Sequence, residues 1–323
     1  DSFGLESYAA HGETALAAGR RMAGLGLQRV ADRRRGQCGA SGDSASPVAG
    51  GACAFVQGVV GRHDTGGAGA LVGASGDIDG FLTGVDIALG DHLVDGALLG
   101  TVRTKTRNRG GRIEDDGTVA GVHASLAFGQ FSLDTALSLA WGTLESERRV
   151  RLPSTASTIA ARADSQTASF AIEAGYAIRA GAFQLRPVAG LSHVDLQQDG
   201  FDEGSSGGLG LKVDGYDLKS TRFYVGLDLE PSDPGAALQP YLRAQVARET
   251  DDLARSASAR FSVVPEAGRF MTRTVNADRT TVDLGAGLRA RVADRISIFA
   301  DYSGSLGKST DGHSVRGGLS IAF

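Results

Sequence analysis

Alternation of side-chain character with a period of two runs through most of this chain, and it leaves few folds open. In Ile78 to Leu89, the residues Phe81, Thr83, Val85, Ile87 and Leu89 share one face, while Gly80, Gly84 and Asp86 share the other. Leu133, Leu137, Leu139 and Trp141 oppose Asp134, Ser138 and Gly142 in the same way. Phe170, Ile172, Ala174, Tyr176 and Ile178 oppose Ser169, Glu173, Gly175 and Arg179. Phe223, Val225, Leu227 and Leu229 oppose Tyr224, Gly226 and Asp228, and Val282, Leu284, Ala286 and Leu288 oppose Asp283, Gly285, Gly287 and Arg289. Successive side chains of a strand point to opposite faces, so each segment predicts a strand with one apolar face and one small or polar face. The chain closes the same way: Val315, Gly317, Leu319, Ile321 and Phe323 lie on one side, and Arg316, Gly318, Ser320 and Ala322 on the other. From residue 52 onward the sequence holds about twelve strand candidates.

Their connections alternate in length. Those near Gly90, Gly129, Gly181 and Ala293 span only a few residues, whereas those near Asp64–Gly76, Arg107–Gly117, Val150–Asp164, Gln198–Gly215 and Asp251–Asp278 read as long and polar or glycine-rich. Short turns on one rim and long loops on the other, with an outward apolar face, are features of a transmembrane β-barrel. The fold class expected is therefore an all-β transmembrane barrel of about 12 antiparallel strands. No stretch approaches the roughly 18 consecutive apolar residues of a membrane helix. A mean hydropathy of −0.08 is what averaging a lipid face with a lumen face gives. In hydrocarbon only a helix or a closed sheet leaves no backbone group unpaired. The net charge of −4, with basic residues dispersed, gives no basis for a nucleic-acid partner.

Leu5 to about Arg35 has a different texture, rich in Ala, Leu, Arg and Glu with no proline, and reads as a helix that Gly36 stops. A lumen bounded by about twelve strands is wider than one that side chains alone fill, and one helix about 10 Å across could thread it. The expected organisation is a lumenal helix and connector over residues 1–51 and a barrel over 52–323. The helix carries Arg20, Arg21, Arg29 and Arg33, and the inner wall carries Asp86, Asp134, Glu173, Asp228, Asp283 and Asp301. We expect the helix arginines to match these wall carboxylates, since unmatched charge in a confined space is costly. Cys38 and Cys53 bracket a connector rich in Gly, Ser and Ala and are the two cysteines of the chain. In an oxidising compartment they would close a small loop, with two unpaired thiols as the alternative. The opening residues lack the basic-then-apolar pattern of a signal peptide, so the sequence is expected to start after processing or to be the downstream part of a longer chain.

A helix followed by about twelve strands ending in Phe resembles the translocator (β) domain of monomeric autotransporters, the type V secretion family. The likeness covers nearly the whole chain. It is most specific in Leu238-Gln-Pro-Tyr241-Leu-Arg, Thr281-Val-Asp-Leu-Gly-Ala-Gly287-Leu, Ile298-Phe-Ala-Asp-Tyr302-Ser and Ser314 to Phe323. Within the last, Arg316, Gly318, Ile321 and Phe323 are similar to the signal that the barrel-assembly machinery reads. The resemblance implies a bacterial outer-membrane protein without substrate turnover, which anchors an N-terminal passenger and assists its export. The partners it implies are the passenger itself, the barrel-assembly machinery, periplasmic chaperones and outer-membrane lipid, with the barrel a monomer. In some members an asparagine of the helix attacks its own backbone and frees the passenger. Here the asparagines are Asn108 and Asn276, outside the helix, so that route is not expected.

Other chemistry finds little support. Gly42-Asp43-Ser44-Ala45 superficially resembles an esterase nucleophile block, but neither the following α/β pattern nor a G-x-S-x-G elbow is present. The six histidines are scattered without metal spacing. His63 and His313, expected near the rim, leave a barrel-embedded hydrolase as an alternative, beside an open porin and a soluble all-β adhesin. No cofactor, metal or catalytic residue is assigned.

Overall fold

The computed structural model describes residues 4–36, 38, 51–68, 71, 73–90, 92–152 and 155–323. The connector through 39–50, with the Gly42-Asp43-Ser44-Ala45 segment, lies outside the described residues, as does much of the loop at 69–72. Helix α1 (Glu6–Arg34) leads into strands β1 (Ala52–Thr65), β2 (Ala74–Leu89), β3 (Leu93–Asn108), β4 (Gly111–Phe128), β5 (Phe131–Leu152) and β6 (Thr155–Tyr176). The short β7 (Ile178–Ala180) precedes β8 (Phe183–Gln198), and the small strands β9 (Phe201–Asp202) and β10 (Leu211–Val213) precede β11 (Tyr216–Pro231) and β12 (Leu238–Glu249). Two further small strands, β13 (Ser256–Phe261) and β14 (Phe270–Arg273), come before β15 (Thr280–Ala293), β16 (Ile296–Leu306) and β17 (Thr310–Ala322).

Twelve of these form one antiparallel wall, each pairing with the next long strand. The ring closes because β17 pairs along its whole length with β1, from Cys53 opposite Ala322 to Thr65 opposite Thr310. Closure leaves no sheet edge, which is the condition for a sheet to sit in hydrocarbon. The period-two faces fall as the sequence predicts. Phe81, Leu99, Val122, Phe223, Val225 and Leu242 are all more than half exposed on the outside. Asp86, Asp134, Glu173, Asp228 and Asp301 are buried inside. Phe128, Phe131, Tyr176, Phe183 and Phe323 are exposed beside the short turns, forming an aromatic girdle of the kind that marks a membrane interface.

At the other rim the strands run further than expected. The segments around Arg107–Gly117 and Val150–Asp164 are not long loops: Arg107 pairs with Arg112, and Glu147 with Ala160, as continuing strand. At 22 residues each, β5 and β6 far exceed the roughly 9–11 a tilted strand needs to cross a bilayer, so the excess stands above it. These stretches are polar because water meets both faces there, and polarity alone does not end backbone pairing. Two loops that are long, Gln198–Gly215 and Asp251–Asp278, are not loose either. They contribute β9, β10, β13 and β14 to a four-stranded sheet in the order β14-β13-β10-β9. The segment flanking Pro265-Glu-Ala-Gly268 forms a hairpin, the β13–β14 pair, with Ser256 opposite Arg273.

Helix α1 lies in the lumen, as the sequence reading expects, and is buried around most of its circumference. Its N-terminal end meets the cap sheet: Leu5, Tyr8 and Ala9 pack with Phe201, Leu211, Val213, Ala257 and Ala259. Its C-terminal end reaches the short-turn rim, where the Arg33 guanidinium donates to the Gly51 carbonyl at 2.9 Å. Gly36 stops it with φ of +84°, a left-handed conformation that glycine adopts without strain. At about 1.5 Å per residue, the 29-residue helix spans roughly 43 Å, enough to cross the membrane inside the barrel. Gly12, Gly19 and Gly26 mark close approach to the wall. A Cβ on Gly19 would lie 2.7 Å from a Val194 methyl, and one on Gly26 2.6 Å from Ala136 Cβ.

Candidate functional site

The contact between α1 and the lumen wall is the candidate site, and it is held by charge as much as by packing. Arg29 is fully buried, donates to Asp86 on β2, and lies 4.0 Å over the Phe55 ring on β1. Asp86 also pairs with His123 of β4 at 2.6 Å, so this wall carboxylate is shared between helix and wall. Among the described residues, Arg29 with Asp86 is the ion pair between an expected helix arginine and an expected wall carboxylate.

The other expected residues are arranged differently. Arg20 binds Glu13 of its own helix at 2.8 Å and the Ser220 hydroxyl of β11 at 2.9 Å, not a wall carboxylate. Arg21 forms no ion pair among the described residues, and its Nε and Nη1 are without a hydrogen-bond partner. Asp134 accepts from Arg34 at the end of α1, a residue outside the expected set, and from Arg186 of β8 at 3.0 Å. Glu173 and Asp228 are neutralised by the wall's own Arg186 and Arg243, with Arg186 2.8 Å from Glu173 and Arg243 2.7 Å from Asp228. Asp283 pairs with Arg222 at 3.2 Å. Asp301 is held by Arg289 at 3.4 Å and by Arg316. The expectation of a basic helix against an acidic wall is thus too simple, because the wall carries its own inward arginines.

Those arginines make a second connection that sequence reasoning missed. Asp32, fully buried on α1, accepts from Arg289 of β15 and, at 3.2 Å, from Arg316 of β17. Arg29 and Arg35 also stand 3.9 and 3.6 Å from its carboxylate. Arg35 in turn binds Glu230 near the end of β11 and lies 4.2 Å over the Tyr241 ring, which Arg289 also covers at 4.6 Å. The signal was present: Asp32 is the acidic residue between Arg29 and Arg33, and Arg289 and Arg316 share the inward faces of their strands. A buried ion pair gains little over an apolar one, but losing one partner strands the other, so such lattices fix position more than they add stability.

At the cap, Arg148 near the outer end of β5 is bidentate to Glu203 at 2.8 and 2.5 Å. Glu203 also accepts from the Tyr8 hydroxyl at 3.1 Å, which ties the cap to α1. Arg255, just before β13, reaches Glu13 at 3.0 Å. Asp278, ahead of β15, accepts from the Ser309 and Thr310 amides at 2.7 and 2.8 Å and from the Thr310 hydroxyl, clasping the β16–β17 turn. Partial burial opposes its charge, and these donors outweigh that, holding the Asp278 carboxyl below its usual range.

The remaining expected residues fall into place without a catalytic arrangement. Cys38 and Cys53 are joined, with Cα atoms 5.8 Å apart, beside the end of α1. Arg316 is turned into the lumen, whereas Ile321 and Phe323 face outward. Gly318 leaves no room for a Cβ, which would lie 2.6 Å from the Phe299 ring and closer still to the Val56 carbonyl. His63 and His313 sit on opposite faces of the wall: His63 faces Glu13 at 3.9 Å inside, and His313 meets the Tyr302 hydroxyl at 2.6 Å outside. A rim dyad between them is therefore not formed. No metal-binding cluster occurs among the described residues. Asn108, at the end of β3, accepts from the Ser7 hydroxyl of α1 at 2.8 Å, and Asn276 lies in the loop before β15.

A family model of the autotransporter β-domain matches residues 54–303. None of the curated proteins matches the chain in sequence. Among solved structures, the chain is similar to the translocator domain of autotransporter NalP from Neisseria meningitidis, with 18% identity, coverage of 98% of this chain and 99% of that one, and a TM-score of 0.73. It is also similar to the transport unit of AIDA-I from Escherichia coli (13% identity, 88% and 92% coverage, TM-score 0.61) and to the β-domain of the Bordetella autotransporter BrkA (19%, 84% and 100%, 0.59). With the closed twelve-stranded wall and the helix inside it, the matched 250-residue stretch shows that the chain belongs to the autotransporter β-domain family, as an outer-membrane translocator.

Proposed function

We propose that residues 1–51 act as the retained tether of the passenger and that 52–323 act as its membrane anchor, with the tether fixed by a two-way charge lock. Arg29 reaches out to Asp86, and Asp32 receives Arg289 and Arg316. The observation that carries this reading is the direction of α1, whose N-terminal end lies under the cap sheet at the long-loop rim and whose C-terminal end lies at the short-turn rim. A passenger joined ahead of the helix would then emerge on the long-loop side, which faces the exterior in barrels of this type.

With no asparagine in α1, release by asparagine attack within the lumen is not part of this proposal. The passenger stays attached or is cut by a separate protease, and the barrel itself turns over no substrate. The outward band of Phe81, Leu99 and Val225 fits outer-membrane lipid around a monomer, and the exposed Ile321 and Phe323 fit recognition by periplasmic chaperones and the barrel-assembly machinery during insertion. Arg316 is used differently in the finished barrel, where it is part of the lock. The Cys38–Cys53 link would stiffen the periplasmic connection between helix and first strand.

A reporter domain fused ahead of residue 1 and expressed in a bacterium with an outer membrane tests the proposal. Protease added outside intact cells should degrade the reporter and spare a periplasmic marker. A reporter kept in the periplasm while the barrel is inserted and heat-modifiable would refute it.

A further inference from the structure

Helix α1 does not fill the lumen. It packs against β2 to β6 and β8, and a cavity of about 260 Å³ remains beside it, toward β12 and β15. At the long-loop rim, however, every residue from Glu6 to Leu16 is buried, and the cap sheet supplies the cover. The two halves of that sheet are held differently. Strands β9 and β10 lean on the wall: β9 packs on β6, and Arg148 of β5 pairs with Glu203 and donates to the Leu209 carbonyl at 2.7 Å. Strands β13 and β14 rest on β10 and on α1. Ala257 and Ala259 of β13 share a core with Leu5, Tyr8 and Ala9. Arg255, only 2% exposed, reaches Glu13 of the helix at 3.0 Å.

The start of the helix fits this rim in one register. Gly4 has φ of +71°, and a Cβ on it would lie 2.6 Å from the Gly110 carbonyl oxygen and 3.1 Å from Arg148 Cγ. A Cβ on Gly110 would in turn lie 2.8 Å from Gly4 Cα. The Ser7 hydroxyl and the Gly110 amide both donate to Asn108 Oδ1, at 2.8 and 2.9 Å, which sets the β3–β4 turn against the helix start. A shift of one residue would bring Phe3 or Leu5 to this gap and draw Tyr8 and Glu13 away from Glu203 and Arg255. We propose that β13 and β14 form a lid over the outer mouth, which closes only when α1 stands in this register and so covers the lumen once the tether is in place. The lid needs only the barrel and its helix; its closure at the end of export rests on the function proposed above.

Hydrogen exchange of the purified chain in detergent tests the lid with no passenger present, so its outcome is separate from that of the reporter assay. In the unaltered chain the β13 and β14 amides should exchange through a local opening, faster than the paired amides of β1 and β17. Glu13→Gln removes the charge that Arg255 meets on the helix, and should speed exchange in β13 and β14 roughly tenfold or more while β1 and β17 keep their rates. Gly4→Leu, pressed against Gly110 and Arg148, should also speed exchange in β13 and β14, with the α1 amides from Leu25 to Arg34 unaffected. Unchanged exchange of β13 and β14 in either variant means that the cap stands without the helix in register, and the proposal fails. It fails equally if β1 and β17 accelerate as much as the cap, because the whole barrel has then loosened. If neither variant folds, the unaltered chain decides: β13 and β14 amides that exchange only together with β1 and β17 overturn the lid.

Discussion

Asp32→Asn probes the charge lock at its most connected point. The carboxylate is fully buried and meets two wall arginines from strands 15 and 17 while two helix arginines stand within 4 Å. Breaking a buried pair by removing one partner typically costs about 3–5 kcal/mol, because the other charge is left uncompensated. Arg289 and Arg316 keep Asp301, so the lower end applies, about 3 kcal/mol, which is roughly a hundredfold in the opening equilibrium. The loss should be local. Hydrogen exchange of the α1 amides from Leu25 to Arg34 should accelerate by about two orders of magnitude, while the paired amides of β1 and β17 keep their rates. Combining Asp32→Asn with Arg289→Met should cost less than the two single losses added together, since each removes the other's need for a partner. Unchanged exchange in the single variant, or strict additivity in the double, would refute the idea that this contact fixes the helix.

Further consequences follow from the helix glycines, the loop clasp and the disulfide. Gly24→Ala should stabilise α1 by up to about 1 kcal/mol through helix propensity, whereas Gly26→Leu should cost about 1–3 kcal/mol by overpacking against Ala136; equal effects on exchange would contradict the observed approach distances. The Asp278 clasp should contribute fully from neutral pH down to the ordinary carboxylate range near 4, and be lost as pH falls through its depressed value. Exchange of the Ser309 and Thr310 amides should therefore rise in acid, and Asp278→Asn should raise it already at neutral pH; no change in that variant would show that the clasp does not hold the turn. Reducing the Cys38–Cys53 link, which closes a loop with a separation of 15 residues, should lower thermal stability by up to about 3 kcal/mol; identical melting of the oxidised and reduced forms would contradict this.

Much of the wall was legible because the membrane imposes a strict two-residue code. Phe81, Val85 and Ile87 face out and Asp86 faces in for the same reason that any one-residue slip would bury grease in the lumen and charge in lipid. The code weakens above the bilayer, where both faces meet water. There the polar residues of Arg107–Gly117 and Val150–Asp164 read as loop but continue as paired strand. The cap sheet was hidden for another reason: β9 and β10 are two and three residues long, pair with each other, and join a sheet through the pairing of β10 with β13 from a distant loop. At the helix–wall contact, sign alone was a poor guide. Arg29 and Asp86 could be matched from opposite charge on facing elements, but Arg20 and Arg21 could not be placed without the rotation of α1 about its axis. The rotation is set by Gly12, Gly19 and Gly26, whose lack of side chains lets α1 settle against β5, β8 and β11.

Single-channel conductance in a planar bilayer addresses the central claim, that α1 occupies the barrel lumen. The complete chain should pass only a small current through the crescent beside the helix, and a chain lacking residues 1–35 should show far larger steps from the emptied lumen. Equal conductance with and without that segment would mean the helix does not fill the barrel, and the account of tether and lock would fall with it.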